Sequence, residues 1–234
     1  MIYKPTTQLE KFGQKVYSFV VENFSSTYFV GGMVRDLLLH RNVTDIDIAT
    51  SATPSEVVKI LTAKGITIND SHKQFGNIIA TQGKLKIQVT TFRKDLAGAS
   101  RYHTILYVKT PKADSQRRDF TINALYLRPK SRAILDFYNG FSDLKSGIIR
   151  FIGAPEKRIK QDPLRIIRAL RFALILKFRL ETKTKIAIKN NFQLINKLTR
   201  TKTRKEILKI KNLKTQKILQ LVINKPELLD NYFK

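Results

Sequence analysis

The stretch FVGGMVRDLLLHRNVTDIDIAT, residues 29–50, contains the features that decide the fold. The apolar run 28–30 predicts a strand, and a helix is predicted over 34–39. Between them, Gly31 and Gly32 allow a tight turn that brings backbone N–H groups against a phosphate. The pattern therefore predicts a strand, a phosphate-binding turn and a helix in succession.

Two acidic residues, Asp45 and Asp47, follow in the β-prone segment 43–49. Side chains at positions i and i+2 of a strand project from the same face, about 7 Å apart. Carboxylate oxygens suit hard divalent cations, and transfer of a nucleotide to a hydroxyl uses two such cations, about 3.5 to 4 Å apart. Either motif alone also fits an ordinary turn or a solvated strand end. Their order and proximity favour the chemistry, so we expect Asp45 and Asp47 to be catalytic and to bind Mg²⁺.

The rest of the chain changes from mixed strands and helices to helices alone after Gly153. The further predicted strands are 66–69, 76–81 and 85–92. The further predicted helices are 7–24, 54–64, 155–160, 163–178, 183–197, 203–211 and 214–223. A mobile loop is predicted over 93–103, which is rich in charged and small residues.

Four blocks of the chain, in order, resemble the class II tRNA nucleotidyltransferases (CCA-adding enzymes) and the related bacterial poly(A) polymerases. Residues 29–50 form the first, and the others are RRDFTINAL at 117–125, DFYNGFSDLKSGIIRFIG at 136–153, and the segment 162–173 that begins DPLR. The resemblance runs from about residue 29 to residue 180. It implies an α+β fold: a nucleotidyltransferase head of the polymerase-β type with a small mixed sheet, followed by an all-helical neck and the start of a body.

The resemblance and the change to an all-helical pattern after Gly153 together give the expected domains. We expect the catalytic head over 1–140, a helical neck with the base-selecting helix over 141–202, and the start of a helical body over 203–234. Members of the family usually continue through further body and tail helices. The chain is therefore expected to be a natural short form or a truncated one.

The resemblance also implies which head residues bind the nucleotide. These are Gly31, Gly32, Arg35, Arg118, Asp119 and Asn123. Arginines form bidentate contacts with phosphate, which fits Arg35 and Arg118 as triphosphate ligands. Asp119 would lie toward the ribose hydroxyls, and Asn123 would support the pocket. Asp36 has two interpretations, since it could orient Arg35 or interact with the helix dipole.

The helix over 163–178 is predicted to present Arg165, Arg168 and Arg171 on one stripe with Asp162. A solvated basic face is the alternative. In the family, positions matching Asp162 and Arg165 pair with the edge of the incoming CTP or ATP, and those matching Arg168 and Arg171 help to hold the nucleotide. A carboxylate accepts from an exocyclic amino group and a guanidinium donates, so cytosine and adenine can be told from uracil and guanine.

The net charge of +26 is concentrated toward the C-terminal part of the chain. Residues 1–140 carry a net charge of +9 and residues 141–234 carry +17. A lysine-rich bias explains part of this excess, and RNA is the expected polyanionic partner. Such binding is expected to weaken steeply with salt.

Composition also excludes several classes of site and location. The chain has no cysteine, so disulfides and thiolate metal sites are excluded, and its three histidines are too far apart to suggest a cluster. It has no uncharged apolar run of about 18 residues and no leader-like N-terminus, so we expect a cytoplasmic protein without membrane contact. The sequence does not indicate an oligomeric state.

Two residues depart from the family pattern: Gln88 stands where many members have an acid, and Gln161 where a glutamate is typical. An amide offers an oxygen but no charge, so the hypothesis is an active enzyme with weakened metal binding.

The expected activity is template-independent addition of C, A or both to the 3′ end of tRNA from CTP and ATP, with release of pyrophosphate. Two alternatives stay open: a poly(A) polymerase on the same scaffold, and a non-catalytic RNA-binding relative suggested by Gln88 and Gln161.

Overall fold

The computed structural model describes residues 4–95, 105–131 and 133–233. The helices are α1 (Gln8–Val21), α2 (Gly32–Leu38), α3 (Pro54–Ala63), α4 (Pro111–Ser115), α5 (Gly140–Ser146), α6 (Pro155–Gln161), α7 (Leu164–Leu176), α8 (Thr182–Asn190), α9 (Arg200–Leu208), α10 (Leu213–Asn224) and α11 (Leu229–Tyr232). The strands are β1 (Thr27–Val30), β2 (Asp47–Thr50), β3 (Thr67–Asn69), β4 (Asn77–Gln82), β5 (Leu85–Thr91), β6 (Arg93–Asp95), β7 (Ile105–Tyr107), β8 (Leu125–Arg128), β9 (Ala133–Asp136), β10 (Ile148–Ile149) and β11 (Arg179–Leu180).

The described residues form two compact units. The first unit lies within 1–118 and 123–138, and the second within 119–122 and 139–234. Residues 119–122 group with the second unit because Phe120 forms a backbone bridge with Phe151 and its ring lies 4.9 Å from that of Phe151. The predicted end of the head at residue 140 lies close to this division, whereas the boundary between neck and body stays a prediction.

A seven-stranded mixed sheet organises the first unit, with the strand order β3-β4-β5-β2-β1-β8-β9. β2 and β5 are parallel, and the other neighbours are antiparallel. In this register Asp47 is opposite Val30 on β1 and opposite Gln88 on β5. The mixed sheet followed by helices confirms the predicted α+β class.

The two faces of this sheet have different roles. Helix α1 begins with a capping box between Thr7 and Glu10 and packs on one face, where the Tyr17 and Phe29 rings lie 5.0 Å apart. The opposite face carries an apolar cluster formed by Tyr28, Val30, Ala49, Phe92 and Tyr126. Since alternate strand residues point to opposite faces, Asp47 lies on the same face as Ala49 and hence beside this second cluster.

The second unit is mostly helical. Its central helix α7 buries Ile166, Ile167, Ala169, Leu170, Arg171, Phe172, Ala173 and Leu176. The short parallel strands β10 and β11 pair Ile148 with Arg179 and Ile149 with Leu180. Strand β11 lies between α7 and α8 and so interrupts the run of helices that the sequence predicts after Gly153.

Several predicted boundaries move in the structure. The strand predicted over 43–49 begins only at Asp47, so Asp45 precedes it. The predicted loop 93–103 begins as strand β6, which pairs with β7, and residues 96–104 lie outside the described residues. The helix predicted over 183–197 ends at Asn190 and is followed by a 3₁₀ turn, Phe192–Lys197. Strands β8 and β9 were not predicted.

The position of Asp162 corrects the predicted stripe on α7. Its backbone is extended, with φ −151° and ψ 99°, and the helix begins only at Leu164. The reason is Pro163, because a proline disfavours helical geometry in the residue before it. Arg171 also departs from an exposed face, since it is only 8% exposed.

Candidate active site

Gly31 forms the turn between β1 and α2 in a conformation that requires glycine. Its φ is +76° and its ψ is −138°, a region that side chains other than glycine rarely adopt. A Cβ placed there would lie 3.3 Å from Asp47 Oδ2 and 3.9 Å from an Nη1 atom of Arg118. The turn, the carboxylate and the guanidinium therefore surround one small space.

The two signature acids differ in exposure. Asp45 is exposed, whereas Asp47 is partly buried. Burial raises the pKa of Asp47, the nearby charge of Asp45 raises it further, and Arg118 and Arg117 act in the opposite direction. The charge of Asp45 is therefore near enough to Asp47 to affect its pKa.

The carboxylate pair is compatible with a divalent cation. Within residues 4–95, 105–131 and 133–233, no group of three or more His, Cys, Asp or Glu side chains is placed to hold a metal ion. The protein donors are thus two acids, one of them exposed. Mg²⁺ is commonly held by one or two carboxylates together with substrate phosphates, so this donor set fits it. A bound cation would also oppose the burial and the Asp45 charge that raise the pKa of Asp47.

Gln88 lies directly beside Asp47. The two residues pair in the parallel register of β2 and β5, which places both side chains on the same face of the sheet. The Gln88 side chain is exposed, and its Nε2 lies 3.5 Å from Thr90 Oγ1. Gln88, which departs from the family pattern, is therefore adjacent to Asp47.

Arg35 is buried and held on two sides. Its Nε and Nη2 donate to the Asp36 carboxylate at 3.0 and 2.8 Å, and its Nη1 donates to Asn123 Oδ1 at 2.7 Å. Asp36 lies beyond the first turn of α2, in which no acidic residue occurs. Of the two interpretations of Asp36, the geometry favours orientation of Arg35.

Asp114, which the sequence analysis did not single out, anchors Arg118. This carboxylate is fully buried, accepts from Arg118 Nη2 at 3.0 Å and from Arg117 Nε at 2.8 Å, and accepts from the Tyr126 hydroxyl at 2.7 Å. Burial alone would raise its pKa, but Arg118, Arg117 and the Tyr126 hydrogen bond outweigh it and lower the pKa of Asp114 to about 2. The sequence does contain a signal for these pairs, because Asp114 precedes Arg117 by three residues and Arg118 by four, which is the spacing of side chains that meet on a helix.

The second unit contains a separate charged cluster. Asp119 Oδ2 accepts from Arg168 Nε at 2.8 Å, and Asp119 Oδ1 accepts from the Phe120 backbone N–H at 2.8 Å. Glu206, which is only 4% exposed, lies 3.5 Å from Arg168 Nη1 and 3.1 Å from Arg171 Nε. Arg168 is therefore tied to the start of the 119–122 segment, and both Arg168 and Arg171 are tied to α9.

Asp162 and Arg165 lie at the start of α7, and both are partly exposed. Asp162 Oδ1 accepts from the backbone N–H of Leu164 at 3.1 Å. Arg165 Nη1 donates to the Arg158 carbonyl at 2.8 Å and lies 3.4 Å from Gln161 Oε1. Gln161, the second departure from the family pattern, thus contacts a residue expected to select the base.

The structure therefore groups the expected site residues into three sets. Gly31, Asp47 and Arg118 come together, Arg35 joins Asn123, and Asp119 joins Arg168.

The part of the chain that contains most of these residues matches a known protein family. The family model described as the poly A polymerase head domain matches residues 27–150, which include the glycine turn, both signature acids and Arg118. The chain belongs to this family. The match confirms the resemblance that the sequence blocks indicated.

Curated relatives and solved structures extend the family likeness. A CCA-adding enzyme of Lactobacillus helveticus is 46% identical over 186 residues, which are 78% of this chain and 45% of that protein. A CCA-adding enzyme of Limosilactobacillus reuteri is 39% identical over 186 residues, again 78% of this chain and 45% of that protein. This family member thus spans about half the length of the curated relatives it matches.

Among the similar solved structures are complexes with a nucleotide or a nucleotide analog. The Bacillus stearothermophilus CCA-adding enzyme in complex with CTP superposes with a TM-score of 0.76 and 32% identity, over 86% of this chain and 48% of that one. A tRNA nucleotidyltransferase complexed with a primer tRNA and an incoming ATP analog gives a TM-score of 0.70 and 31% identity, over 87% of this chain and 58% of that one. Among the described residues, no helix combines the length and apolar character needed to cross a bilayer.

Proposed function

We propose that the chain catalyses template-independent addition of C and A nucleotides to the 3′ end of tRNA, with release of pyrophosphate. The observation that carries the proposal is the space shared by Gly31, Asp47 and Arg118, which joins a side-chain-free turn to a carboxylate and a guanidinium. Its substrates would be CTP, ATP and a tRNA lacking its terminal nucleotides, in keeping with the relatives named CCA-adding enzyme.

The head residues would position the reacting groups. Asp45 and Asp47 would hold Mg²⁺, which supplies charge neutralisation of the triphosphate and activation of the attacking hydroxyl when bound. Arg118 would bind phosphate oxygens through its guanidinium beside the glycine turn. Gly31 would contribute by leaving room for the phosphates. Catalysis would rest on positioning and on charge stabilisation, without a covalent intermediate.

Base selection is proposed for Asp162 and Arg165. Both side chains are partly exposed at the start of α7, where a carboxylate acceptor and a guanidinium donor are held by short local hydrogen bonds. Arg168 and Arg171 already form ion pairs with Asp119 and Glu206. Their support of the nucleotide would therefore be exerted mainly by fixing α7, and Asp119 would reach the ribose from its pair with Arg168.

The test is product sequencing after incubation with a tRNA that ends before CCA. Separate reactions contain CTP alone, ATP alone, both nucleotides, or both without Mg²⁺. We expect CC from CTP alone, CCA from the mixture, and no product without the metal. Absence of any incorporation in the complete mixture would reject the proposal in favour of a non-catalytic RNA-binding protein.

Poly(A) polymerase is the second candidate, because the matching family model carries that description. The same reactions separate the two activities. Addition that stops after a fixed number of nucleotides supports the tRNA enzyme, whereas a long A tract from ATP alone supports the polymerase.

A further inference from the structure

Asp114 is the most completely engaged carboxylate described in the first unit. It is 0% exposed, yet it lies in α4, a helix of only five residues. Its Oδ1 accepts from the Arg93 backbone N–H at 3.2 Å and from Arg117 Nε at 2.8 Å. Its Oδ2 accepts from Arg118 Nη2 at 3.0 Å, from Arg118 Nε at 3.2 Å and from the Tyr126 hydroxyl at 2.7 Å.

The contacts of Arg118 are divided between two sides of its guanidinium. Nε and Nη2 face Asp114, and Nε also donates to the Tyr126 hydroxyl at 2.9 Å. The guanidinium carbon lies 5.1 Å from the centre of the Tyr126 ring, which is itself fully buried. Nη1 is the atom found near the space beside Gly31. One edge of Arg118 is thus fixed to the interior while the other is presented at the glycine turn.

This division matters for phosphate binding because an arginine side chain has many rotamers. Fixing them before the ligand arrives removes an ordering cost from the binding step. A buried carboxylate and an aromatic hydroxyl that accept and donate in fixed directions do this by geometry. The Tyr126 hydroxyl donates to Asp114 and accepts from Arg118, so the three side chains form a closed cycle of hydrogen bonds.

We propose that Asp114 is a positioning residue for nucleotide binding: together with Tyr126 it holds the Arg118 guanidinium at the Gly31 turn, ready for the phosphates of a nucleoside triphosphate. The inference rests on the proposed function, because it concerns the same nucleotide site. Asp114 touches no substrate; its effect passes through Arg118.

The test is a double-mutant cycle on nucleotide affinity. Dissociation constants for CTP, CDP and CMP are measured by calorimetry with Mg²⁺ for the wild-type chain, Asp114→Asn, Arg118→Ala and the double variant. We expect Asp114→Asn to weaken CTP binding about 10- to 100-fold, by analogy with the losses found for partners that orient metal-binding side chains. The loss should shrink from CTP to CMP, and Asp114→Asn should add little when Arg118 is already alanine.

A purely structural role for Asp114 gives a different pattern. The losses from Asp114→Asn and Arg118→Ala would then add, and CTP and CMP would weaken alike; either result would overturn the inference. Glu10→Gln is the matched control, since Glu10 is a buried acid of the same unit that caps α1. It should lower the melting temperature and leave the CTP dissociation constant unchanged.

Tyr126→Phe keeps the test decisive if Asp114→Asn fails to fold. This variant retains the ring and the carboxylate and removes only the hydroxyl that bridges Asp114 and Arg118. We expect a severalfold loss of CTP affinity that disappears in the Arg118→Ala background, and an unchanged affinity would overturn the inference. Failure of the wild-type chain to bind CTP at all would instead refute the proposed function, and this inference with it.

Discussion

Each unit contains a charged cluster built on arginine pairs, and the two clusters are anchored differently. In the first unit, one fully buried acid, Asp114, holds Arg117 and Arg118, three and four positions later in the chain. In the second unit, two acids hold Arg168 and Arg171 of α7, and the pair of Asp119 with Arg168 spans 49 positions. The first cluster is local, whereas the second ties together distant parts of its unit.

The difference indicates what each cluster contributes. Arg118 reaches the glycine turn and the partly exposed Asp47, so changes there should affect chemistry more than folding. Glu206 is buried and joins α7 to α9, so changes there should affect folding first. Four predictions test this contrast, in order of decreasing effect.

Replacement of Asp47 by alanine should have the largest effect on activity. Loss of a metal-binding carboxylate is expected to lower the rate of nucleotide addition on the order of a thousandfold or more. The free energy of unfolding should not fall, because burial and Asp45 already disfavour the charged form of Asp47 and raise its pKa. Rates of CMP incorporation and urea unfolding curves measure the two quantities.

The matched control for Asp47→Ala is Asp70→Ala, an exposed acid of the same unit. It should change neither quantity. If Asp47→Ala retained the wild-type rate, the claim that this part of the first unit serves catalysis would be wrong.

Replacement of Glu206 by alanine should mainly lower stability. Removal of one partner from a buried ion pair leaves the other charge uncompensated, which costs about 3 kcal/mol. Arg171 is the residue most affected, since it is only 8% exposed. Urea unfolding measures the loss, with the exposed Glu227→Ala as control. A Glu206→Ala chain as stable as the wild type would contradict the anchoring role.

Acid should weaken the first unit through Asp114. Its pKa falls from an ordinary value of 3.8 to about 2 on folding, so the charged form contributes stability above pH 5. That contribution, about 2 kcal/mol, is lost as the pH falls toward 2. Unfolding free energies between pH 6 and pH 3 should therefore drop less steeply for Asp114→Asn than for the wild type. If the unfolding free energies of the two chains changed with pH in parallel, the ion pairs of Asp114 would not stabilise the fold.

Replacement of Gln88 by glutamate should produce the smallest and most specific change. It would place a third carboxylate beside Asp47 in the β2–β5 register and lower the Mg²⁺ concentration for half-maximal rate severalfold. Rates measured against Mg²⁺ for both chains, with Gln82→Glu on neighbouring β4 as control, test this expectation. An unchanged Mg²⁺ dependence would show that the residue at position 88 does not affect Mg²⁺ affinity.

Much of the first unit could be predicted because its signals are local. Strand β1, helices α1 and α3, and strands β3 to β5 follow from apolar spacing and from capping residues such as Thr7 and Thr53. β8 and β9 were missed because their burial depends on pairing with β1, which no local pattern reveals. Asp114 lay within reach of the sequence, since its spacing from Arg117 and Arg118 suits one helical turn.

The second unit shows where local reasoning stops. The spacing of Arg165, Arg168 and Arg171 predicted one stripe on the helix, but a stripe does not specify its partners. Glu206 makes Arg171 part of the interior, and a residue that follows α7 by a long stretch of chain cannot be recognised from helical period alone.

The sequence by itself determined the family, the α+β class and the glycine turn with its two acids, because these depend on residues close together in the chain. Tertiary structure alone decided that Gln88 lies beside Asp47, that Asn123 holds Arg35, and that Glu206 binds Arg168 and Arg171. The physical reason is that charge pairs and sheet register depend on distances in space, which chain folding sets and residue order does not.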